Sequence, residues 1–183
     1  MYVPGPLPFR LTLKSSGFAF GAKHMTVVSS AVARTSVVCE QGPQSVILSA
    51  NLEAELHNAS AILRKAFSDL KADDISVAYV KEGSRLKEPY SRVTVTTPED
   101  FYGDVIGDLN RRLGRIERLA DASLGGKIVA ATVPTSELIG YVTFLNRVTR
   151  GLGQVEYEFL GYDYVWPRPL PPDPRDPAIA KRA

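Results

Sequence analysis

The predicted elements follow the same order in each half of this chain: strand, helix, strand, strand, helix, strand. Two helices stand out because apolar residues recur at helical spacing over residues 51–70 and 97–113. Short runs of alternating or β-branched residues around them predict strands. This is the order of the split βαβ unit, so the sequence predicts an α+β protein of two tandem ferredoxin-like domains, with antiparallel sheets that carry helices on one face.

The first predicted domain, residues 1–83, starts with a proline-rich extended segment. In the strand that follows, PFRLTLK, the side chains of Phe9, Leu11 and Leu13 share one side. Its other predicted elements are a weak helix at 22–35, a hairpin of SVVCE and QSVILSA, a helix at 51–70 capped by Asn51, and the strand DISVAYVKEG at 74–83.

The second predicted domain, residues 88–165, follows a linker, GSRLKEP. Residues 166–183 contain six prolines and predict an extended tail. The elements of the second domain are the strand YSRVTVTT, the helix at 97–113, the strands RIERLADA and KIVAATVP, the helix TSELIGYVTFLNRV capped by Thr135 or Ser136, and the strand QVEYEFLGYDYV.

The helix at 97–113 is the most fully specified element. Thr97 is its predicted N-cap, and Pro98 suits the first helical position. Gly103 and Gly107 are unusual in a helix interior, where each costs about 1 kcal/mol relative to alanine. We therefore expect these two glycines to allow a close approach to the sheet beneath. Gly114 ends the helix.

Composition excludes several classes of protein. The chain has 183 residues, 44% of them hydrophobic, and a net charge of +2, so it lacks the overall positive charge of a strong nucleic-acid binder. A single cysteine, Cys39, excludes an intramolecular disulfide and is expected in the core. No apolar run approaches 18 residues and no signal-peptide pattern is present, so we expect a soluble, cytoplasmic protein without a membrane partner.

No catalytic group of residues is apparent. A phosphate-binding loop needs Gly-x-x-x-x-Gly-Lys-Ser/Thr, but Gly126 and Lys127 are followed by isoleucine and are typical of a turn. Glu53 and His57 lie one helical turn apart, yet a metal site needs a third ligand, and an ion pair is the simpler interpretation. We expect no enzyme activity, no bound nucleotide, no metal and no cofactor.

Six arginines near the ends of the second-domain helices are the candidate binding residues. Helix-end charges that complement the helix dipole and face solvent explain them without any function. The functional alternative is that these arginines form a patch on the protein that binds the phosphates of RNA. These residues are Arg111, Arg112, Arg115, Arg118, Arg147 and Arg150.

The run PEDFYGDVIGDLNRRLGRIE resembles the start of the last domain of translation elongation factor G and its relatives. The likeness continues through VPTSELIGYVTFLNRVTRGLG to GYDYV, covering about residues 88 to 165. The first half, from EQGPQSVILSA to SVAYVKEG, is weakly similar to the third domain of that family. Of the family's Glu-Leu-His-Leu-Glu run it keeps only Glu55, Leu56 and His57. On this interpretation the GTPase, second and fourth domains are absent.

In the resembled family, the last domain docks at the base of the ribosomal stalk, against ribosomal RNA and a stalk protein. The resemblance therefore implies a non-catalytic protein that associates with the ribosome or ribosomal RNA as an accessory to translation. The alternative is a protein-interaction or oligomerisation module that kept the fold and lost the ribosome, since the edge strands of such open sheets pair readily.

Overall fold

A computed structural model describes residues 5–33, 35–123 and 125–165; the predicted tail at 166–183 lies outside them. Two short 3-10 turns, Glu99–Phe101 and Thr135–Leu138, precede the last two helices. The strands and helices in chain order are β1 (Phe9–Lys14), α1 (Ala22–Val32), β2 (Val38–Gln41), β3 (Ser45–Ala50), α2 (Glu53–Ala66), β4 (Lys71–Ala72), β5 (Ser76–Val77), β6 (Val80–Glu82), β7 (Arg85–Thr97), α3 (Tyr102–Arg111), β8 (Arg115–Asp121), β9 (Lys127–Pro134), α4 (Tyr141–Val148) and β10 (Gln154–Tyr164).

The described residues form two antiparallel sheets, and the predicted fold class is confirmed. The first sheet has the order β2-β3-β1-β4, with β5 also pairing with β1. The second has the order β10-β7-β9-β8, with β6 pairing with β7. Each sheet thus places its first and third long strands in the centre, as the split βαβ order requires. We call β1–β5 with α1 and α2 the first domain, and β6–β10 with α3 and α4 the second.

Each domain buries its own apolar core. In the first domain, alternate residues of β1 and β3 pack with the inner faces of α1 and α2. In the second, Val93 and Val95 of β7 and Val129 of β9 pack with Val105 and Leu109 of α3. The predicted period-2 and period-3.6 patterns therefore meet at one face of each sheet.

The structure differs from the prediction of a single strand at 74–83 followed by a linker. From this region the first sheet takes only the two-residue strand β5, which follows the short strand β4. The registers of β4 and β5 against β1 differ by one residue, so the two do not form one continuous strand. β6 instead forms a hairpin with β7, turning at Gly83, whose φ is +60°. β7 begins at Arg85, inside the expected linker. The proposed domain limits, 1–83 and 88–165, remain a prediction about folding units.

The second-domain helices start later than predicted. Thr97 is the last residue of β7 and not a helix cap, and α3 begins at Tyr102 after the 3-10 turn. α4 begins at Tyr141 because Gly140 has a left-handed backbone, with φ of +73°, that separates the helix from the turn at Thr135–Leu138.

A contact between the domains was not predicted. The Glu53 carboxylate, in the first turn of α2, accepts a hydrogen bond of 2.9 Å from the amide of Gly140. Next to it, Ile139 packs against the core of the first domain. Asn51 does not cap α2, because Leu52 takes the N-cap position and the helix begins at Glu53. The start of α2 therefore joins the two domains.

Candidate nucleic-acid interface

Arg112 lies just past the end of α3 and is held by several groups. Its Nε donates to the Asp108 carboxylate at 2.6 Å, and another of its nitrogens donates to the Glu137 carbonyl. Its guanidinium carbon lies 5.1 Å from the ring centre of Tyr141 and 5.4 Å from that of Phe144. Only 20% of its side chain is exposed, so the interpretation of Arg112 as a solvated helix-end charge is wrong. Arg112 fastens α3 to α4.

Arg111 and Arg147 are open to solvent beside this contact. The Arg111 side chain is 74% exposed and lies 3.4 Å from Asp108, a distance typical of a weak surface pair. Arg147 is exposed on α4, with its guanidinium carbon 5.8 Å from the Phe144 ring centre. Arg147 therefore shares the Phe144 ring with Arg112, and Arg111 and Arg147 both lie on the helical side of the second domain.

Arg115 belongs to a charge network on the opposite side of the sheet. It reaches Glu117 at 3.4 Å, and Glu117 also accepts from the Thr132 hydroxyl at 2.7 Å and from Arg92 at 3.1 Å. The Thr132 hydroxyl, then Arg92, hold the pKa of Glu117 below its usual range. Arg92 also binds Glu158 at 2.7 Å. Sequence reasoning missed Arg92, although the alternation of β7 places it on the face away from the helices.

The remaining two arginines stand apart from this pair. Arg118 is exposed on β8 and aligned with Ala130, on the sheet face away from α3. Arg150 is exposed in the turn after α4, where its φ is +53°. The buried Thr149 hydroxyl fixes that turn by accepting from the Gly153 amide at 2.8 Å. The six predicted arginines therefore do not form one patch.

Gly103 and Gly107 do not contact the sheet, so the predicted reason for them is wrong. Both are exposed, and a Cβ atom added to either would have no neighbour within 4 Å among the described residues. They lie four and eight residues before Arg111, on the same side of α3. We call the surface of Gly103, Gly107 and Arg111 the α3 face. No packing within the described chain explains its two glycines.

Tyr141 is buried at the centre of this region, and burial raises the pKa of its hydroxyl above the usual range. Among the residues that the structure describes, this hydroxyl has no hydrogen-bond partner. A buried hydroxyl without a partner costs about 1–3 kcal/mol. We therefore expect Tyr141→Phe to leave the free energy of unfolding in urea unchanged or to raise it by about 1 kcal/mol. A decrease of about 2 kcal/mol would show that the hydroxyl is bonded.

The other polar groups considered in the sequence have structural contacts. His57 lies 3.4 Å from Glu53, whose other carboxylate oxygen accepts from Gly140. Within residues 5–33, 35–123 and 125–165, no group of three His, Cys, Asp or Glu residues is arranged to hold a metal ion. Cys39 packs partly against the first core, and burial raises the pKa of its thiol.

No helix among the described residues is both long and apolar enough to span a membrane.

One comparison bears on the second domain. Residues 85–171 match the family model described as the elongation factor G C-terminus. This match confirms the resemblance identified from the sequence of this region. The second domain is therefore an elongation factor G-like domain of a kind associated with translation. The weaker similarity of residues 1–83 to the third domain of that family stays a prediction.

Proposed function

We propose that this protein associates with the ribosome, contacting ribosomal RNA through the α3 face of its second domain, as a non-catalytic accessory to translation. The observation that carries the proposal is the pair of exposed glycines on α3, in a region that matches the elongation factor G C-terminus. Each glycine costs helix stability of about 1 kcal/mol. A partner that approaches the helix backbone closely gives a reason for that cost.

Two exposed arginines on the helical side of the second domain favour a phosphate-bearing partner. Arg111 and Arg147 are exposed, and the 3.4 Å contact of Arg111 with the buried Asp108 carboxylate is long for a charge-assisted hydrogen bond. Exposed arginines bind phosphate oxygens through several donors at once. Residues 89–165 nevertheless carry 8 basic and 10 acidic residues, so long-range attraction to RNA is weak. Ribosome binding should therefore depend on how closely the RNA approaches the α3 backbone at Gly103 and Gly107, and on a few local contacts between arginines and phosphates.

The alternative, pairing of edge strands between copies of the chain, has less support in the second domain. Its edge strand β8 carries Arg115, Glu117, Arg118 and Asp121 and has an irregular register between Ile116 and Arg118. Charges and bulges of this kind oppose pairing with another strand. Oligomerisation without ribosome binding is therefore an outcome that a sedimentation experiment with ribosomes can detect.

The arginine contribution is tested by the salt dependence of ribosome binding. We expect Arg111→Ala with Arg147→Ala to weaken binding and to reduce the slope of log K against log salt by about 2, one for each phosphate that is no longer neutralised. Arg118→Ala, an exposed arginine on the other face of the sheet, is the matched control and should leave the slope unchanged. Equal slopes for wild type and the double variant would remove the two arginines from the interface.

A further inference from the structure

Four aromatic rings form a compact cluster at one end of the first domain. They come from the loop before α1, from its first turn and from the residue after α2, and all six pairs have ring centres between 4.6 and 6.2 Å apart. The four residues are Phe18, Phe20, His24 and Phe67. Phe20 is buried, whereas the other three rings are only partly buried. Packing in the core explains why Phe20 is aromatic. The rings of Phe18, His24 and Phe67 are partly open to solvent.

Hydrogen bonds hold the loop that carries Phe18 and Phe20. The Ser15 hydroxyl donates to Asp69 at 2.6 Å and accepts from the amides of Gly17 and Phe18 at 3.2 and 3.1 Å. His24 Nδ1 accepts from the Gly21 amide at 3.2 Å, so its ring orientation is also fixed. The loop of Phe18 and Phe20 and the His24 ring are therefore held in place, which lowers the entropy cost when a flat ligand stacks on them.

Basic residues flank the ring cluster in sequence on β1, α1, α2 and β4. Lys14 and Lys71 are aligned as partners on β1 and β4, and they lie close in sequence to the loop and to Phe67 respectively. Lys23 precedes His24, and Arg64 and Lys65 occupy the last turn of α2. The nearby carboxylates are Asp69, bound by Ser15, Asp73, paired with Lys14 at 2.7 Å, and the exposed Asp74. Glu40 is also exposed beside Gln41, whose side chain donates to the Phe20 carbonyl. Apart from the Lys14–Asp73 pair and the Asp69 bound by Ser15, four cations flank the cluster in sequence against two carboxylates, Glu40 and Asp74.

We propose that this ring cluster and its cations form a binding site for single-stranded nucleic acid. Bases stack on partly exposed aromatic rings, while flanking lysines and arginines bind the phosphates; this combination binds single strands with little sequence preference. The site lies on the first domain and takes a flexible strand, so it is independent of the ribosome contact proposed for the α3 face.

The stacking part is tested by fluorescence anisotropy of a labelled oligouridylate, about ten nucleotides long, with the full chain. Phe18→Leu keeps an apolar side chain but removes the ring, and we expect it to weaken binding about five-fold or more. Phe18→Tyr keeps the ring and should bind within about two-fold of wild type. An absence of saturable binding by wild type at low salt, or equal affinity of Phe18→Leu, would overturn the proposal.

The contribution of the cations to oligonucleotide binding is tested with a double variant of two exposed lysines outside the core. Lys23→Ala with Lys71→Ala should lower the salt slope by about 1.4, since each neutralised phosphate on a single strand contributes about 0.7. Lys81→Ala, an exposed lysine on β6, is the control and should bind like wild type. A slope unchanged in the double variant contradicts the site. Arg111→Ala with Arg147→Ala should bind the oligonucleotide normally, which separates failure of this site from failure of the α3 face.

Discussion

Replacing Asp108 or Arg112 with alanine is expected to lower the free energy of unfolding by about 3–5 kcal/mol, because each removal leaves a largely buried charge without its main partner. The Asp108 side chain is 9% exposed and that of Arg112 20%, and they meet at 2.6 Å. Arg112→Ala also removes the hydrogen bond to the Glu137 carbonyl and the packing on the two rings of α4. This variant therefore loosens the packing of α3 against α4 as well as the ion pair.

Urea unfolding of the two variants, followed by circular dichroism, measures this decrease in stability. Arg111→Ala is the matched control, since Arg111 approaches the same carboxylate but is 74% exposed, and it should cost less than about 1 kcal/mol. If Arg112→Ala were as stable as Arg111→Ala, the contact would not fasten the helices. Arg112 would then return to the candidate phosphate-binding residues.

Replacing Gly103 and Gly107 with alanine is expected to change stability and binding in opposite directions. Each change should raise the free energy of unfolding by up to about 1 kcal/mol, because alanine favours the helix and its Cβ meets no neighbour within 4 Å. Ribosome binding should nevertheless fall about ten-fold or more, which corresponds to about 1.4 kcal/mol, because a methyl group blocks a close approach. A fold defect cannot produce this combination.

Gly21→Ala provides the control for the glycine variants. Gly21 also has open space around its added Cβ and a negative φ, but it lies in the first domain. Its replacement should leave ribosome binding unchanged. If Gly103→Ala and Gly107→Ala bind ribosomes like wild type while gaining stability, the α3 face is not the contact surface.

The fold could be predicted from the sequence because it rests on local patterns. Alternation in β1 and β7 and the four-residue spacing of Val105 and Leu109 specify which faces are buried. The errors concern hydrogen bonds between residues distant in sequence, or backbone geometry. The left-handed Gly140 delays α4, and the bond from its amide to Glu53 spans 87 positions.

The candidate site was predicted only in part for the same reason. The six arginines were found from their position near helix ends, but their exposure depends on partners that the local sequence does not reveal. Arg112 is held by a carbonyl 25 residues away. The glycines of α3 were recognised as unusual, but only the structure shows that their open side faces away from the sheet.

Co-sedimentation of the wild-type protein with purified ribosomes at low salt is the most direct test of the central claim. The proposal predicts saturable binding, weakened by rising salt and by alanine at Gly103 and Gly107, with unchanged binding by Gly21→Ala. Wild-type protein that stays in the supernatant at low salt, with or without self-association, would contradict it.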